Sequence, residues 1–361
     1  MTIPLPIRNY LRANQLIQHL YFDWHLADIP VLLGSKSFRE KSYSLMELYL
    51  NHDELQNEAL LKSIYHDIKQ CYYKYKMTPQ EYFLFELRNK NSEERESYLS
   101  DSMIMKYAAE RNGRLIHDTE LNNKYNFYTI NQHFFNRDAI LFNISTSAEQ
   151  FTDFAIKTKR IIAKPNKSAL GSGVEIFTVL SQEDAEKIFK YLRKKGKEYI
   201  IEEVISQSPE MAVWNQSSVN TIRINSFLSN GIFNILSPFM RTGRKGCIVD
   251  NGGQGGIFAS IDKNTGLVMT PGMDEKGNSY DKHPDTGILY FGWQVPQWDK
   301  LLHLVEMVHR NMHKHVYVSW DFALSDNGWV LIEGNWGEFV AQQMTNKRGF
   351  KKDFITFLNA K

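Results

Sequence analysis

The sequence predicts an α+β protein with mainly antiparallel sheets, preceded by a helical N-terminal domain. Within the first 118 residues, apolar side chains recur at three- and four-residue spacing, which is typical of helices. After the turn sequence Asn112-Gly113, short β-branched and aromatic runs alternate with fewer helical patches. Turn sequences at 229–231 and 326–328 are typical of hairpins between neighbouring strands.

The helical domain is predicted from apolar runs at 45–50, 60–68 and 82–87. Ser44 and the pair Thr78-Pro79 are interpreted as helix starts, the latter with proline at the first helical position. An apolar stripe at 10–21 favours core packing and leaves peripheral membrane association open.

The second part of the chain carries the predicted strands. They are expected at residues 139–142, 160–164, 174–179, 199–205, 221–228, 232–241, 257–261, 316–324 and 329–333. Helices are expected between them at 147–158, 182–195 and 298–313. Many strands with few helices indicate antiparallel pairing within an α+β region.

Composition limits the classes of function. Across 361 residues, 43 Lys and Arg balance 41 Asp and Glu, so no nucleic-acid partner is expected. Cys71 and Cys247 are isolated, which suits a reducing compartment and predicts a cytoplasmic protein. No run of eighteen apolar residues occurs, so no transmembrane segment is expected. Homo-oligomerisation stays open.

The last hairpin contains the most informative residues. Asp321 and Glu333 each lie six residues from Asn327, so a turn centred there places them directly opposite one another. Asn335 shares their face. Two facing carboxylates repel each other, and oxygen ligands of this kind suit Mg²⁺ held together with phosphates. The alternative is a solvent-exposed hairpin face on which both carboxylates are simply hydrated.

A glycine-rich loop follows Lys164, between two predicted strands. It is not a P-loop, which would lead into a helix. Its backbone N–H groups are suited to folding over phosphates as a lid, with Lys164 reaching the phosphate charge. An ordinary Ser/Gly turn is the alternative. The residues singled out in this loop are Ser168, Gly171, Ser172 and Gly173.

Charged residues within two other strands have similar alternatives. The strand at 199–205 carries Glu202 and Glu203, which either meet an adenine edge or end an ordinary core strand. Arg223 lies in a β-branched run, where a buried cation requires an internal carboxylate or a bound phosphate. The glycine-rich segment 250–256 is either a flexible loop or an anion cradle. His309 and His313 suggest zinc by spacing, but cationic neighbours disfavour it.

The order of these segments resembles the ATP-grasp superfamily, in which two α+β subdomains enclose ATP between a flap and a metal-binding hairpin. The sequences at 77–82, 218–223, 249–251, 255–256 and 320–321 are similar to those of sugar-transfer-associated ATP-grasp proteins from bacterial polysaccharide gene clusters. The resemblance implies a helical domain at 1–118, a flap subdomain at 119–200 and a hairpin subdomain at 201–361.

The resemblance also implies a role for each candidate residue. The residues implied to bind ATP are Lys124, Lys164, Ser168, Gly171, Ser172, Gly173, Glu202, Glu203, Val204, Ile205 and Glu210. Within this set the lysines meet phosphates, the residues from Glu202 to Ile205 meet adenine, and Glu210 meets ribose. The catalytic charges are implied to be Arg223, Lys164 and Arg241, and the Mg²⁺ ligands Asp321, Glu333 and Asn335.

The implied activity is that of an ADP-forming ligase dependent on ATP and Mg²⁺. It would join a small-molecule carboxylate to an amine or hydroxyl, with a sugar or an amino acid among the substrates, in surface-polysaccharide assembly. A sugar kinase and a non-catalytic partner of glycosyltransferases are the alternatives. One position departs from the pattern, because Ser319 stands where amino-acid ligases of the superfamily often carry a carboxylate-binding arginine.

Overall fold

The computed structural model describes residues 36–113, 119–167, 173–337 and 339–360, and the fold is given for these. The stripe at 10–21 and the flap residues Ser168, Gly171 and Ser172 lie outside them. The chain divides into two compact units, Met1–Lys106 and Tyr107–Lys361. No helix in the described part is long and apolar enough to cross a membrane.

The described part of the first unit is helical, as predicted. Its helices are α1 (Lys36–Tyr49), α2 (His52–Leu55), α3 (Glu58–Tyr75), α4 (Pro79–Leu84), α5 (Ser92–Glu96) and the start of α6 (Asp101–Asn112).

The two predicted helix starts had different outcomes. Thr78-Pro79 is confirmed, because the Thr78 hydroxyl accepts from the Glu81 N–H at 3.2 Å while Glu81 accepts from the Thr78 N–H at 2.7 Å. Ser44 is wrong as a start, because α1 already begins at Lys36. Serine is tolerated inside a helix when its hydroxyl bonds back to the preceding turn, as Ser42 does to the Phe38 carbonyl at 2.7 Å.

The second unit contains two antiparallel sheets. The smaller has the order β1-β4-β2-β3 and the larger β11-β10-β5-β6-β7-β8-β9. The strands are β1 (Ala139–Phe142), β2 (Arg160–Pro165), β3 (Glu175–Thr178), β4 (Tyr199–Glu203), β5 (Thr221–Ser229), β6 (Ile232–Thr242), β7 (Ile257–Ser260), β8 (Gly272–Met273), β9 (Ser279–Tyr280), β10 (Tyr317–Ser325) and β11 (Gly328–Asn335). Each predicted strand is confirmed; the two-residue strands β8 and β9 are additional.

The predicted helices of this unit are confirmed as α8 (Ala148–Thr158), α9 (Gln182–Lys194) and α11 (Trp298–Asn311). Four further helices among the described residues were not predicted. They are α7 (Lys124–Phe135), α10 (Pro209–Ala212), α12 (Val340–Asn346) and α13 (Lys351–Leu358).

Helices cover both faces of the large sheet. On one face, His309 of α11 bonds the Ser226 hydroxyl of β5 at 2.6 Å. On the other, Asn346 of α12 bonds the Ser260 hydroxyl of β7 at 2.6 Å. The second face also carries the charged residues. Asp321 pairs with Arg223, Arg223 pairs with Phe239, and Phe239 pairs with Ser260, and directly paired residues share a face. The fold therefore places a charged sheet face under a C-terminal helix.

Candidate functional site

The hairpin of β10 and β11 pairs Asp321 with Glu333, as predicted. The turn itself differs from the prediction, since Ser325 pairs with Gly328 and the turn is centred between Asp326 and Asn327. One extra residue, Ile332, bulges on β11 and restores the expected pairing. Two deviations from the assumed register therefore cancel at the carboxylates.

Asp321 is buried between two arginines. Arg223 donates to its two oxygens at 2.6 Å each, from Nε to Oδ1 and from Nη2 to Oδ2. Arg241 Nη2 donates to Oδ2 at 2.8 Å. Burial alone would raise the pKa of Asp321, but the guanidinium groups lower it to about 2. Arg223 thus has an internal carboxylate as its partner, one of the two alternatives left open by the sequence.

Arg241 continues this network toward the glycine-rich segment. Its Nε donates to the Thr221 hydroxyl at 2.8 Å, and Thr221 in turn donates from its hydroxyl and its N–H to Asp250. The segment is a closed turn rather than an extended loop, because the Gly256 N–H bonds the Asn251 carbonyl at 3.1 Å. A Cβ at Gly256 would lie 2.0 Å from the Asp250 carbonyl oxygen, so close packing requires glycine there.

Glu333 and Asn335 are more accessible than Asp321. The Glu333 side chain is 34% exposed, and its Oε2 lies 4.0 Å from Lys124 Nζ. Its Oε1 accepts from Asn335 Nδ2 at 3.2 Å. Gly334 between them is closely packed, because a Cβ there would lie 3.0 Å from the Trp320 ring. The hairpin therefore presents a carboxylate and an amide oxygen close to a lysine.

Lys164 enters the same region from the small sheet. Its Nζ lies 2.7 Å from Glu202 Oε1, while Arg137 Nη2 lies 2.5 Å from Glu202 Oε2. Burial opposes ionisation of Glu202, but the two cations lower its pKa to about 2. Burial lowers the pKa of Lys164, and the nearby charges of Glu202 and Glu333 oppose that shift. Glu333 thus lies within electrostatic range of the small-sheet lysine.

Asn166 positions the backbone of Lys124, the lysine whose side chain lies near Glu333. Its carbonyl oxygen accepts from the Lys124 N–H at 3.1 Å, and its side chain accepts from the Tyr125 N–H at 2.8 Å. The first turn of α7 is therefore anchored to the residue that follows β2. Sequence reasoning missed both Asn166 and Arg137, because a single asparagine or arginine in a short connection carries no periodic or motif signal.

The remaining predicted ATP-binding residues within the described part lie at the end of β4, in α10 and before β3. Glu203 ends β4, Val204 and Ile205 follow it, and all three are half-buried. Glu210 is exposed in α10, with the Ser208 hydroxyl 3.4 Å from its carboxylate. Gly173 has a φ of +76°, which favours glycine. Ser168, Gly171 and Ser172 stay predictions.

The histidines form no metal cluster within the described residues. The buried His309 ring is satisfied on both sides, by the Ser226 hydroxyl at 2.6 Å and the His315 carbonyl at 2.8 Å. Burial lowers its pKa to about 4, so it is neutral at pH 7. Across the described ranges, no three His, Cys, Asp or Glu side chains gather as a metal-binding group.

Two antiparallel sheets, with Lys124 Nζ of α7 lying 4.0 Å from Glu333 of the large-sheet hairpin, match the architecture of the ATP-grasp fold. The chain belongs to the sugar-transfer associated ATP-grasp family, whose family model matches residues 100–357. A comparison with curated proteins gave no significant match.

Similar solved structures include ligases and synthetases of low sequence identity. D-alanyl-alanine synthetase A from Vibrio cholerae is 11% identical over 66% of this chain and 64% of its own, with a TM-score of 0.40. D-alanine–D-alanine ligase from Bacillus anthracis, complexed with ATP, is 12% identical over 68% of each chain, with a TM-score of 0.42. The D-cycloserine synthetase DcsG is 10% identical over 79% of this chain and 95% of its own, with a TM-score of 0.42. The family assignment rests on the family match alone.

Proposed function

We propose that this chain is an ATP- and Mg²⁺-dependent ligase that joins a small-molecule carboxylate to an amine or hydroxyl in surface-polysaccharide assembly. The observation that carries the proposal is that Lys124 lies 4.0 Å from Glu333, next to Asn335 and the arginine-held Asp321. Lys164, held by Glu202, also feels the charge of Glu333. Lysines beside acidic oxygen donors match the needs of a nucleotide phosphate bound with a divalent cation. The sugar-transfer family description supports a sugar-linked substrate.

Lys124 and Lys164 would bind the phosphates. Because Glu202 already holds Lys164 at 2.7 Å, the lysine reaches its position without the nucleotide. The Glu202 carboxylate is occupied by cations, so adenine recognition would fall to the backbone from Glu203 to Ile205. Such preorganised charge is the main contribution a protein makes to phosphoryl transfer.

Arg223 and Arg241 would stabilise negative charge that develops on the transferred phosphoryl group and on the acylphosphate. Both are held in place by Asp321, at 2.6 and 2.8 Å. Fixed guanidinium groups require no reorganisation during the reaction. Glu210, exposed in α10, is proposed to hold the ribose.

The donor set of the hairpin fits magnesium. Glu333 and Asn335 offer oxygen atoms and are only partly buried, which suits an ion shared with substrate phosphates. Asp321 accepts three hydrogen bonds from arginine and also lies within hydrogen-bond reach of Glu333, so the two carboxylates would share one ion. Bound Mg²⁺ would neutralise phosphate charge, and the chain's own groups would orient the nucleotide.

The test is ATP turnover with magnesium across a panel of uronic acids, sugars and amino acids, measuring ADP and phosphate together. Substrate-dependent release of both, lost in Glu333→Gln, is the expected result. The matched control is Glu183→Gln on the exposed face of α9, which should keep full turnover. ADP without free phosphate would identify a kinase. No turnover, with ATP affinity indifferent to Mg²⁺ and to Glu333→Gln, would leave a non-catalytic module.

A further inference from the structure

Three fully buried side chains on the charged face of the large sheet have polar atoms without hydrogen-bond partners. The atoms are Asn225 Nδ2, Ser319 Oγ, and both Nε2 and Oε1 of Gln342. Each residue is 0% exposed. A buried polar atom without a partner costs about 1–3 kcal/mol, so several in one region call for a bound complement, either internal water or a ligand.

Ser319 and Asn225 lie in the row next to the charged cluster. Ser319 pairs across strands with Asn225 on one side and with Asn335 on the other. Directly paired residues share a face, and so do residues two apart on a strand. Ser319 and Asn225 therefore lie on the same sheet face as Asp321 and its partner Arg223, one step along the strands.

Gln342 points toward the same face of the sheet from α12. It lies one helical turn before Asn346, whose Nδ2 bonds Ser260 of β7 at 2.6 Å, so both point toward the sheet. At the other end of the segment, the Gly337 carbonyl oxygen lies 3.3 Å from the Tyr317 hydroxyl of β10, which donates to Asn225 Oδ1 at 3.0 Å. Since β5 and β6 lie between β10 and β7, the segment containing Gln342 crosses above them.

The unpartnered atoms of these three side chains are uncharged and include both hydrogen-bond donors and acceptors. Asn225 offers an amide donor, Gln342 offers a donor and an acceptor, and the Ser319 hydroxyl can do either. The nearest guanidinium, that of Arg223, is engaged by Asp321 at 2.6 Å. Hydroxyl groups both donate and accept, so they complement such a set better than a carboxylate, which only accepts.

We propose that Asn225, Ser319 and Gln342 line the pocket of the second substrate, and that this pocket receives hydroxyl groups of a sugar or polyol. The inference rests on the proposed function and adds the substrate class. Because the three side chains are shielded from solvent, a sugar enters only when α12 is displaced from β6 and β7. Return of the helix excludes water from the neighbouring site that is proposed to bind the phosphates.

The experiment measures sugar binding separately from nucleotide binding. Calorimetric titration compares the wild type with Ser319→Ala, Gln342→Met and the control Ser229→Ala. The probes are glucose, galactose, N-acetylglucosamine, glycine and alanine. Each titration is done with and without a non-hydrolysable ATP analogue and Mg²⁺. Ser229 is a matched buried serine of β5 whose hydroxyl is already bonded to the Ala360 carbonyl at 3.0 Å. ATP-analogue affinity is titrated in parallel.

A neutral sugar should bind the wild type and should bind Ser319→Ala and Gln342→Met about 3- to 10-fold more weakly. Sugar binding to the wild type should also protect the backbone amides of α12 from hydrogen exchange. ATP-analogue affinity should stay unchanged in both. Ser319→Ala should also keep or raise the stability of the free protein, because an unpaired hydroxyl is removed. Ser229→Ala should lose stability and keep sugar affinity.

Three results would contradict the proposed sugar pocket. These are binding of glycine or alanine but of no sugar, binding of none of the probes, and a loss of stability in Ser319→Ala, which would mean that internal water satisfies the hydroxyl. Failure of the ATP analogue to bind would instead overturn the proposed function, and the sugar titrations without nucleotide would still decide the pocket.

Discussion

Arg137 and Glu202 form a buried ion pair that connects the two sheets of the second unit. Arg137 Nη2 lies 2.5 Å from Glu202 Oε2 in β4, and Nη1 donates to the Leu331 carbonyl of β11 at 2.8 Å. The guanidinium also lies 4.5 Å from the centre of the Phe135 ring. One side chain therefore sets the position of the acid that holds Lys164 and fixes the small sheet to the β10–β11 hairpin.

Arg137→Met is expected to lower the free energy of unfolding by about 3–5 kcal/mol, because it leaves a buried carboxylate with one cation fewer. Arg137→Lys should restore little, since an ammonium group cannot reproduce the contacts to Glu202 and Leu331 together. Urea unfolding measures both. Arg310→Met, in an exposed pair with Glu306, is the control and should change stability by about 0.5 kcal/mol or less. A loss below about 1 kcal/mol for Arg137→Met would contradict the structural role.

Stability is expected to fall in acid because two buried carboxylates titrate. The pKa of Asp321 is lowered from 3.8 to about 2, and that of Glu202 from 4.5 to about 2. A lowered pKa in the folded state stabilises the protein above the unfolded value and stops doing so as pH falls through the folded one. The losses, of about 2 and 3 kcal/mol respectively, should appear between pH about 5 and 2.

Urea unfolding at several pH values measures this dependence. Glu202→Gln should be less stable at pH 7 and show a shallower decrease between pH 5 and 3 than wild type. An unchanged slope in that variant would show that Glu202 does not titrate as expected.

Gly334→Ala is expected to destabilise the protein by about 1–3 kcal/mol, because the added Cβ would lie 3.0–3.1 Å from the Trp320 and Leu121 side chains. It should also weaken Mg²⁺-dependent ATP binding, since Glu333 and Asn335 flank the shifted residue. Gly253→Ala is the control, because its Cβ meets nothing closer than 4.0 Å. Equal stability of the two variants would show that the hairpin accommodates the methyl group.

Ser226→Ala is expected to cost about 2–4 kcal/mol, because it leaves two buried groups unpaired. The Ser226 hydroxyl accepts from Trp320 Nε1 at 2.6 Å and bonds His309 Nδ1 at 2.6 Å. Thermal or urea unfolding measures the change. Thr356→Ala, at an exposed position of α13, should stay within about 0.5 kcal/mol of wild type. A similar small effect in Ser226→Ala would mean that water replaces the hydroxyl.

Local patterns in the sequence were enough for most of the fold. Alternating and β-branched runs predicted β1 to β7, β10 and β11, because a strand's signal lies within its own residues. The short strands β8 and β9 have two residues each, too few for any period. The C-terminal helices α12 and α13 were missed, and their position is set by packing against the large sheet.

For the site, the sequence by itself determined which residue types were available. It predicted that Asp321 would face Glu333 from a turn centred on Asn327, but the bulge at Ile332 that restores this pairing was decided by the tertiary structure. Only the tertiary structure decided their partners. Asp321 is held by Arg223 and Arg241, and Glu202 by Lys164 and Arg137, through contacts between residues 38 to 98 positions apart. Turn chemistry and strand periodicity act over a few residues, whereas a buried charge takes whichever opposite charge the fold brings within about 3 Å. That choice depends on sheet order and strand register across the whole unit, which no local pattern encodes.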